Sequence, residues 1–302
     1  MMPELSQAFG ITAMGVASMA GLFYYGYSPF SLVAGVALDR LGARKVVPLG
    51  AAAVGIGGLA ISVLLFLPLP SQRQDHGRQD WLAGALRSMG VVVRNPQSIL
   101  CGMISGLIFI PTTIFDMIWG VRYLQEARGF DYANAVLRSA LVPVGWMIGC
   151  PLLGWLSDRI GRRKPVIVSG AAVLFASLAL ILFGPVSSLP PYVLGLTAGV
   201  GSGAAMLPYT VIKEANPPEM SGTATGVINF LNFTFSALLG PVFGWILAAV
   251  SGGAPSMALE HYQTAFEPLL YGVALAIVLT LFLKETGPAA RPPAPAPVTV
   301  TS

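Results

Sequence analysis

Long, continuous apolar runs constrain the fold of this 302-residue chain more than any other feature. Each run is close to the roughly 20 residues that an α-helix needs to cross a bilayer. Since the runs lack the alternation of apolar and polar residues typical of barrel strands, we predict an all-α polytopic membrane protein with about eight transmembrane helices. The predicted spans are 12–36, 46–69, 99–121, 134–156, 166–185, 190–212, 223–250 and 264–284.

The composition excludes several classes of protein. Hydrophobic residues make up 55% of the chain and charged residues 10%, which leaves too little polar surface for a soluble globule. The net charge of +4 comes from basic residues in short loops, so we predict lipid as a partner and no nucleic acid. We predict no catalytic residues, metal or cofactor, because the sequence lacks ligand clusters, nucleophile motifs and nucleotide-binding loops.

One segment occurs twice: residues 35–45 read GVALDRLGARK, and residues 154–164 read GWLSDRIGRRK. Because each copy lies between two apolar runs, it predicts a tight turn between two helices. We expect the first glycine to end a helix beside a close neighbour and the second to supply a left-handed conformation. We expect the aspartate near the start of the next helix, able also to pair with an arginine across the bundle. The positions concerned are Gly35, Asp39, Arg40, Gly42 and Arg44, then Gly154, Asp158, Arg159, Gly161, Arg162 and Arg163.

This repeat is similar to the loop signature of the major facilitator superfamily (MFS), G-x-L-A-D-R-x-G-R-K, found between helices 2 and 3 and again between helices 8 and 9. The second copy fits well, whereas the first departs from the signature at Ala37 and Ala43. Residues 119–164 also resemble helices 7 and 8 of bacterial members, and NPPEMSGTATGVINFLNF resembles the start of helix 11. The resemblance implies an MFS-type bundle with a conformational, gating role for the repeated loop.

The runs and loop charges divide the chain into four parts. We predict a partial N-terminal half of about two helices at 1–69 and a linker with an amphipathic segment at 70–98. A six-helix C-terminal half at 99–285 and a disordered tail rich in proline and alanine at 286–302 follow. Lysine and arginine lie near 157–165 and 213–220 but are absent near 185–191 and 251–263. This places the linker and the C-terminus in the cytoplasm, in a plasma (bacterial inner) membrane.

The two copies of the repeat have unequal flanks. Two apolar runs precede the second copy within its half and four follow it, whereas one precedes the first copy and one follows. If the halves are equivalent, helix 1 and about three of helices 3 to 6 are missing; a natural eight-helix protein is the competing account. The resemblance implies secondary active transport of a small solute by alternating access, coupled to a proton or another ion. The alternative is a non-transporting remnant or a membrane scaffold, and the oligomeric state stays open.

Polar residues inside the apolar runs are the candidates for a substrate or proton site, because charges there are costly to insert. Asp116 is predicted to couple protons or bind substrate, unless water reaches it from a helix end expected at 121. Arg138 is predicted to bind an anion or to anchor a helix end. Asn229 and Asn232 share one helix face and either bind solute or join helices. Tyr209, which follows Pro208, and Trp119 complete the set of candidates for a binding role.

Overall fold

The computed structural model describes residues 55–57, 81–185, 191–252 and 257–290. The chain divides into two compact units, Met1–Ala83 and Gly84–Ser302, and nearly all described residues belong to the second. The first copy of the repeat, with Gly35, Asp39, Arg40, Gly42 and Arg44, lies outside the described residues. So do the predicted span 12–36 and nearly all of 46–69, and their predictions stay open.

The described ranges from residue 81 onward contain seven main helices and no strand. The first of these helices begins at Trp81, just before the boundary between the two units. Six of them, α2 to α7, correspond to the six predicted spans from 99 to 284, which confirms the all-α polytopic fold. The amphipathic segment of the linker is also helical, as α1. The helices are α1 Trp81–Arg94, α2 Pro96–Glu126, α3 Tyr132–Ile160, α4 Lys164–Phe183, α5 from Pro191 to Glu214, α6 Ser221–Ser251 and α7 Leu259–Phe282.

Within the described residues, α2, α3, α4 and α7 are long and apolar enough to cross a membrane. Of these four, α2 is the most enclosed by the rest of the molecule. It packs against α5, α6 and α7, and its side chains Ile104, Ile108 and Ile114 are almost completely buried. The polar residues Ser98, Ser105 and Thr112 of α2 are buried with them.

A π-helical segment, Pro111–Gly120, interrupts α2. Pro111 has no N–H to donate, so it cannot complete the α-helical pattern of the preceding turn. Thr112 Oγ1 donates to Phe109 O at 2.7 Å, and Thr113 Oγ1 donates to the same carbonyl at 3.2 Å. Such segments are frequent at functional sites, and this one carries Asp116.

A 3₁₀ turn, Gly203–Met206, divides α5 into Pro191–Ser202 and Leu207–Glu214. The turn leaves backbone groups without α-helical partners, which a neighbouring helix has to satisfy inside a membrane. Ser105 of α2 does so, because its buried hydroxyl donates to Ala205 O at 2.9 Å. The predicted continuous span 190–212 is therefore two helical segments joined by a tighter turn.

Glycines bring α3 and α5 into close contact. A Cβ on Gly145 would lie 3.0 Å from the Cα of Gly199, and a Cβ on Gly199 would lie 2.9 Å from the Cα of Gly145. Both would also overlap backbone carbonyl oxygens of the opposite helix. Only glycine allows this approach, which fixes the position of α3, the helix that carries Arg138 and Ser139, against α5.

Candidate functional site

The helices alternate in direction, so the bundle has two ends. We call the end with the α3–α4 turn and the C-termini of α5 and α7 the motif end, and the opposite end the pocket end. A pocket of about 90 Å³ lies among α2, α3, α4 and α5 near the pocket end. Its polar and charged lining side chains are Thr112, Asp116, Tyr123, Arg128, Arg138 and Ser139, and its apolar ones include Phe115, Leu174, Leu178, Ile181 and Leu194.

Asp116 lies in the π-helical segment and faces α3. Ser139 Oγ donates to Asp116 Oδ1 at 3.1 Å. Gly120 leaves room for this pair, because a Cβ there would lie 2.9 Å from Asp116 Oδ1 and 3.0 Å from Ser139 Oγ. The predicted helix end at 121 is wrong: α2 continues to Glu126, which places Asp116 roughly 15 Å from that end rather than half as far.

Arg138 stacks on aromatic rings at one wall of the pocket. Its guanidinium carbon lies 3.3 Å from the ring centroid of Phe130 and 5.1 Å from that of Tyr192. The Nε and Nη1 atoms are buried and donate no hydrogen bond to any residue that the structure describes. Arg138 therefore contributes a positive charge with unused donors to a largely apolar pocket.

Arg128, the other arginine of the pocket, is already engaged. It donates to Ile181 O at 2.6 Å and to Gly184 O at 3.0 Å, at the C-terminus of α4. It also donates to the hydroxyl of Tyr123 at 2.7 Å. These bonds satisfy carbonyls that the end of α4 leaves without partners, so Arg128 stabilises the bundle. No sequence pattern indicated this role, because it depends on where α4 ends.

Tyr209, Asn229 and Asn232 come together in a second polar group between α5 and α6. The hydroxyl of Tyr209 donates to Asn229 Oδ1 at 2.8 Å, and Asn232 Nδ2 donates to that hydroxyl at 3.3 Å. Asn232 is buried and the other two residues are half-buried. None of the three lines the pocket, so the predicted candidates fall into two separate groups.

Trp119 belongs to neither group. The guanidinium of Arg122 lies 5.9 Å from its ring centroid, and the ring of Phe266 lies 6.4 Å away. Phe266 also contacts Phe115 and Phe243 in an aromatic cluster beside the pocket. Trp119 therefore packs against this cluster, and it is not among the residues that line the pocket.

The second copy of the repeat forms the α3–α4 turn, with two differences from expectation. Gly161 ends α3 in the left-handed conformation, φ 70° and ψ 15°, as predicted for the second glycine. Gly154, however, lies inside α3 and so does not end a helix, and a Cβ placed on it would meet no described residue within 4 Å. Asp158 lies in the last turn of α3 and not at the start of α4, because the helix continues until Gly161.

Arg163 is the centre of the motif end. Its side chain is 7% exposed, and it donates through Nη1 to Asp158 Oδ1 at 2.5 Å and through Nη2 to Glu214 Oε1 at 2.9 Å. Burial acts to lower the pKa of Arg163, but the bonds to Glu214 and Asp158 outweigh burial and raise that pKa above its ordinary value. The predicted pairing of Asp158 with an arginine is therefore local, within the turn, and the pairing across the bundle uses Glu214.

Residues 283–290, which we call the C-terminal strap, cover the α3–α4 turn. Glu285 accepts from the backbone N–H of Arg163 at 2.6 Å and of Lys164 at 3.2 Å, which caps the positive end of the α4 dipole. The N–H of Ala289 donates to Gly161 O at 3.0 Å. Residues 286–290 are thus ordered, contrary to the predicted tail boundary at 286; residues 291–302 lie outside the described part.

Sequence reasoning missed Glu214 and Glu285, which complete this network. Both are acidic residues at the end of an apolar run and next to a lysine, and this pattern could have indicated that they pair with the basic loop. Arg159 and Arg162 of the repeat form no ion pair with described residues; Arg159 lies 5.4 Å from the ring centroid of Trp155.

A bundle of apolar helices with a charged pocket at one end defines a polytopic helical membrane protein. The sequence profile of the Major Facilitator Superfamily matches residues 53–241, well over half of the chain. The chain therefore belongs to this superfamily, as its repeated loop predicted.

Sequence identity to individual relatives is low. The chain is 26% identical over 159 residues to the gentisate transporter of Corynebacterium glutamicum, which covers 52% of this chain and 34% of the relative. It is 26% identical over 254 residues to the enterobactin exporter EntS of Escherichia coli, covering 82% and 56%. It is 26% identical over 205 residues to the membrane sensor protein UhpC of Salmonella typhimurium, covering 65% and 43%. The chain thus matches between about a third and just over half of each relative.

Proposed function

We propose that this chain takes part in secondary active transport of a small solute across the membrane, by alternating access and with coupling to a proton or another ion. The observation that carries the proposal is the pocket inside the bundle, which holds the carboxylate of Asp116 and the guanidinium of Arg138. Charges inside membrane helices are expensive to insert and mark the pathways of substrates and ions. Relatives named as transporters and exporters support the same class of function.

Within this proposal, the motif end is cytoplasmic. Arg162, Lys164, Lys213 and Lys284 all lie there, which follows the positive-inside pattern of a bacterial inner-membrane protein. The repeated loop and the Arg163–Glu214 pair hold this end together in one conformation and have to separate or shift when access alternates. The group around Tyr209 is a second position for solute contact on α5 and α6.

A second candidate function is a membrane sensor or scaffold that does not transport. The chain spans only 34% to 56% of the three relatives named above, and one of these is named a membrane sensor. A six-helix half without a complete partner half would lack the second side of an alternating-access pathway.

Uptake into proteoliposomes distinguishes the two functions. The full chain is reconstituted and radiolabelled gentisate uptake is measured with and without an imposed pH gradient. Transport predicts gradient-driven uptake that Asp116→Asn abolishes, whereas Glu260→Gln, an exposed acid in the first turn of α7, leaves it intact. Absence of uptake by correctly folded protein across gentisate and a panel of small carboxylates and amines would favour the sensor or scaffold.

A further inference from the structure

We propose that the pocket among α2, α3, α4 and α5 binds a small organic monocarboxylate, with Arg138 holding the carboxylate group. The inference rests on the proposed function, since it names the chemical class of the solute. The proposal assigns different roles to the two arginines of the pocket: Arg138 binds the solute, and Arg128 stabilises the fold.

The first argument for a carboxylate ligand is that Arg138 has hydrogen-bond donors without acceptors among the described residues. Its Nε and Nη1 are buried beside the pocket without an acceptor among the described residues. A buried donor without an acceptor is costly, and a buried positive charge more so. The guanidinium carbon lies 3.3 Å from the ring centroid of Phe130 and farther from that of Tyr192, and these cation–π contacts supply no lone-pair acceptor to its N–H groups. A planar carboxylate is the acceptor that best matches such groups.

The surroundings of Arg138 restrict the ligand to one negative charge. The donors of Arg128 are committed to the carbonyls at the end of α4. Arg138 therefore offers one positive charge, which a single carboxylate neutralises, and the acidic side chain of Asp116 in the same pocket provides no partner for a second negative charge such as that of a dicarboxylate. With Ser139, Asp116 instead offers a hydrogen-bonding site for a hydroxyl or amine on the ligand.

The rest of the wall favours an apolar body on the ligand. Phe115, Leu174, Leu178 and Leu194 line the pocket between its charged groups. A small ring or a short chain would contact these side chains while its carboxylate reaches Arg138. Together these features select a compact monocarboxylate, for which benzoate is a suitable probe.

Equilibrium binding of radiolabelled benzoate to the full chain in lipid nanodiscs tests the proposal. We expect saturable binding that unlabelled benzoate displaces. Benzamide, which has the same shape without the charge, and phthalate, which adds a second carboxylate, should displace it at least tenfold less well. Arg138→Gln should weaken binding at least tenfold and Arg138→Lys several-fold, because lysine keeps the charge but loses the planar donor array.

Arg122→Gln is the matched control. Arg122 also lies at the pocket end beside an aromatic ring, that of Trp119, but does not line the pocket. The Arg122→Gln variant should bind benzoate with the same affinity as the unmodified chain. Equal displacement by benzoate and benzamide, absence of saturable binding, or equal affinity in Arg138→Gln would overturn the proposal. The benzamide comparison needs no variant, so it decides even if Arg138→Gln does not fold.

Binding and transport can fail independently in these experiments. Benzoate binding without gradient-driven uptake of any probe upholds the monocarboxylate site and contradicts transport. Gradient-driven uptake of another solute without benzoate binding upholds transport and overturns the monocarboxylate site.

Discussion

The guanidinium of Arg163 donates to the carboxylate of Glu214 at 2.9 Å, joining the turn between α3 and α4 to the last residue of α5. The side chains are 7% and 14% exposed, whereas that of Asp158, the other partner of Arg163, is 69% exposed. The two ion pairs of Arg163 therefore differ in how far water screens them.

We predict that Glu214→Ala lowers the free energy of unfolding by about 3 kcal/mol, because it leaves a buried guanidinium short of a partner. Asp158→Ala should cost less than about 1 kcal/mol, since water replaces the lost carboxylate. Unfolding free energies in lipid bicelles give the comparison. Equal losses in the two variants would contradict the ranking.

The capping role of Glu285 predicts a local effect at the start of α4. Glu285→Ala removes the acceptor for the backbone N–H groups of Arg163 and Lys164 and should destabilise the protein by about 1 kcal/mol. Hydrogen exchange of the amides at 163 and 164 should accelerate. Glu219→Ala, at an exposed acid between α5 and α6, serves as the control and should change neither quantity.

Close packing of α3 on α5 predicts opposite outcomes for two glycines. Gly199→Ala forces a methyl group against the backbone of α3 and should cost about 1–3 kcal/mol. Gly154→Ala should be neutral or stabilise by up to about 1 kcal/mol, because open space surrounds this position within a helix. Thermal melting of the two variants in one detergent checks the sign, and a loss in both would refute the assignment.

The Tyr209 group predicts a modest hydrogen-bond contribution. Tyr209→Phe removes the bonds to Asn229 and Asn232 and should cost about 0.6–1.7 kcal/mol, the range measured between membrane helices. Tyr271→Phe, at a tyrosine that is 64% exposed, should cost less than about 0.5 kcal/mol. Unfolding free energies measure both, and a larger effect at Tyr271 would argue against the α5–α6 group.

The candidate site was only partly predictable from the sequence. Asp116 and Arg138 stand out because charges are rare in apolar runs, and both line the pocket. Trp119 was grouped with them, yet the helix turns it toward Phe266 and away from Asp116. The depth of Asp116 was misjudged because a helix end was expected at 121, whereas the helix continues and Arg122 pairs with Glu126 in its last turns.

The class of fold, six helices between Pro96 and Phe282 and the family were all predictable from the amino-acid sequence alone. The length of the apolar runs, the charge of the loops and the repeated loop motif are local properties of the chain, so the amino-acid sequence shows them directly. The folded structure was needed to show that Arg163 pairs with Glu214 and that Glu285 caps α4. It was also needed to show that Arg138, unlike Arg128, has buried donors without acceptors among the described residues. These relationships join residues far apart in the chain, and they depend on where each helix ends and which way its side chains point.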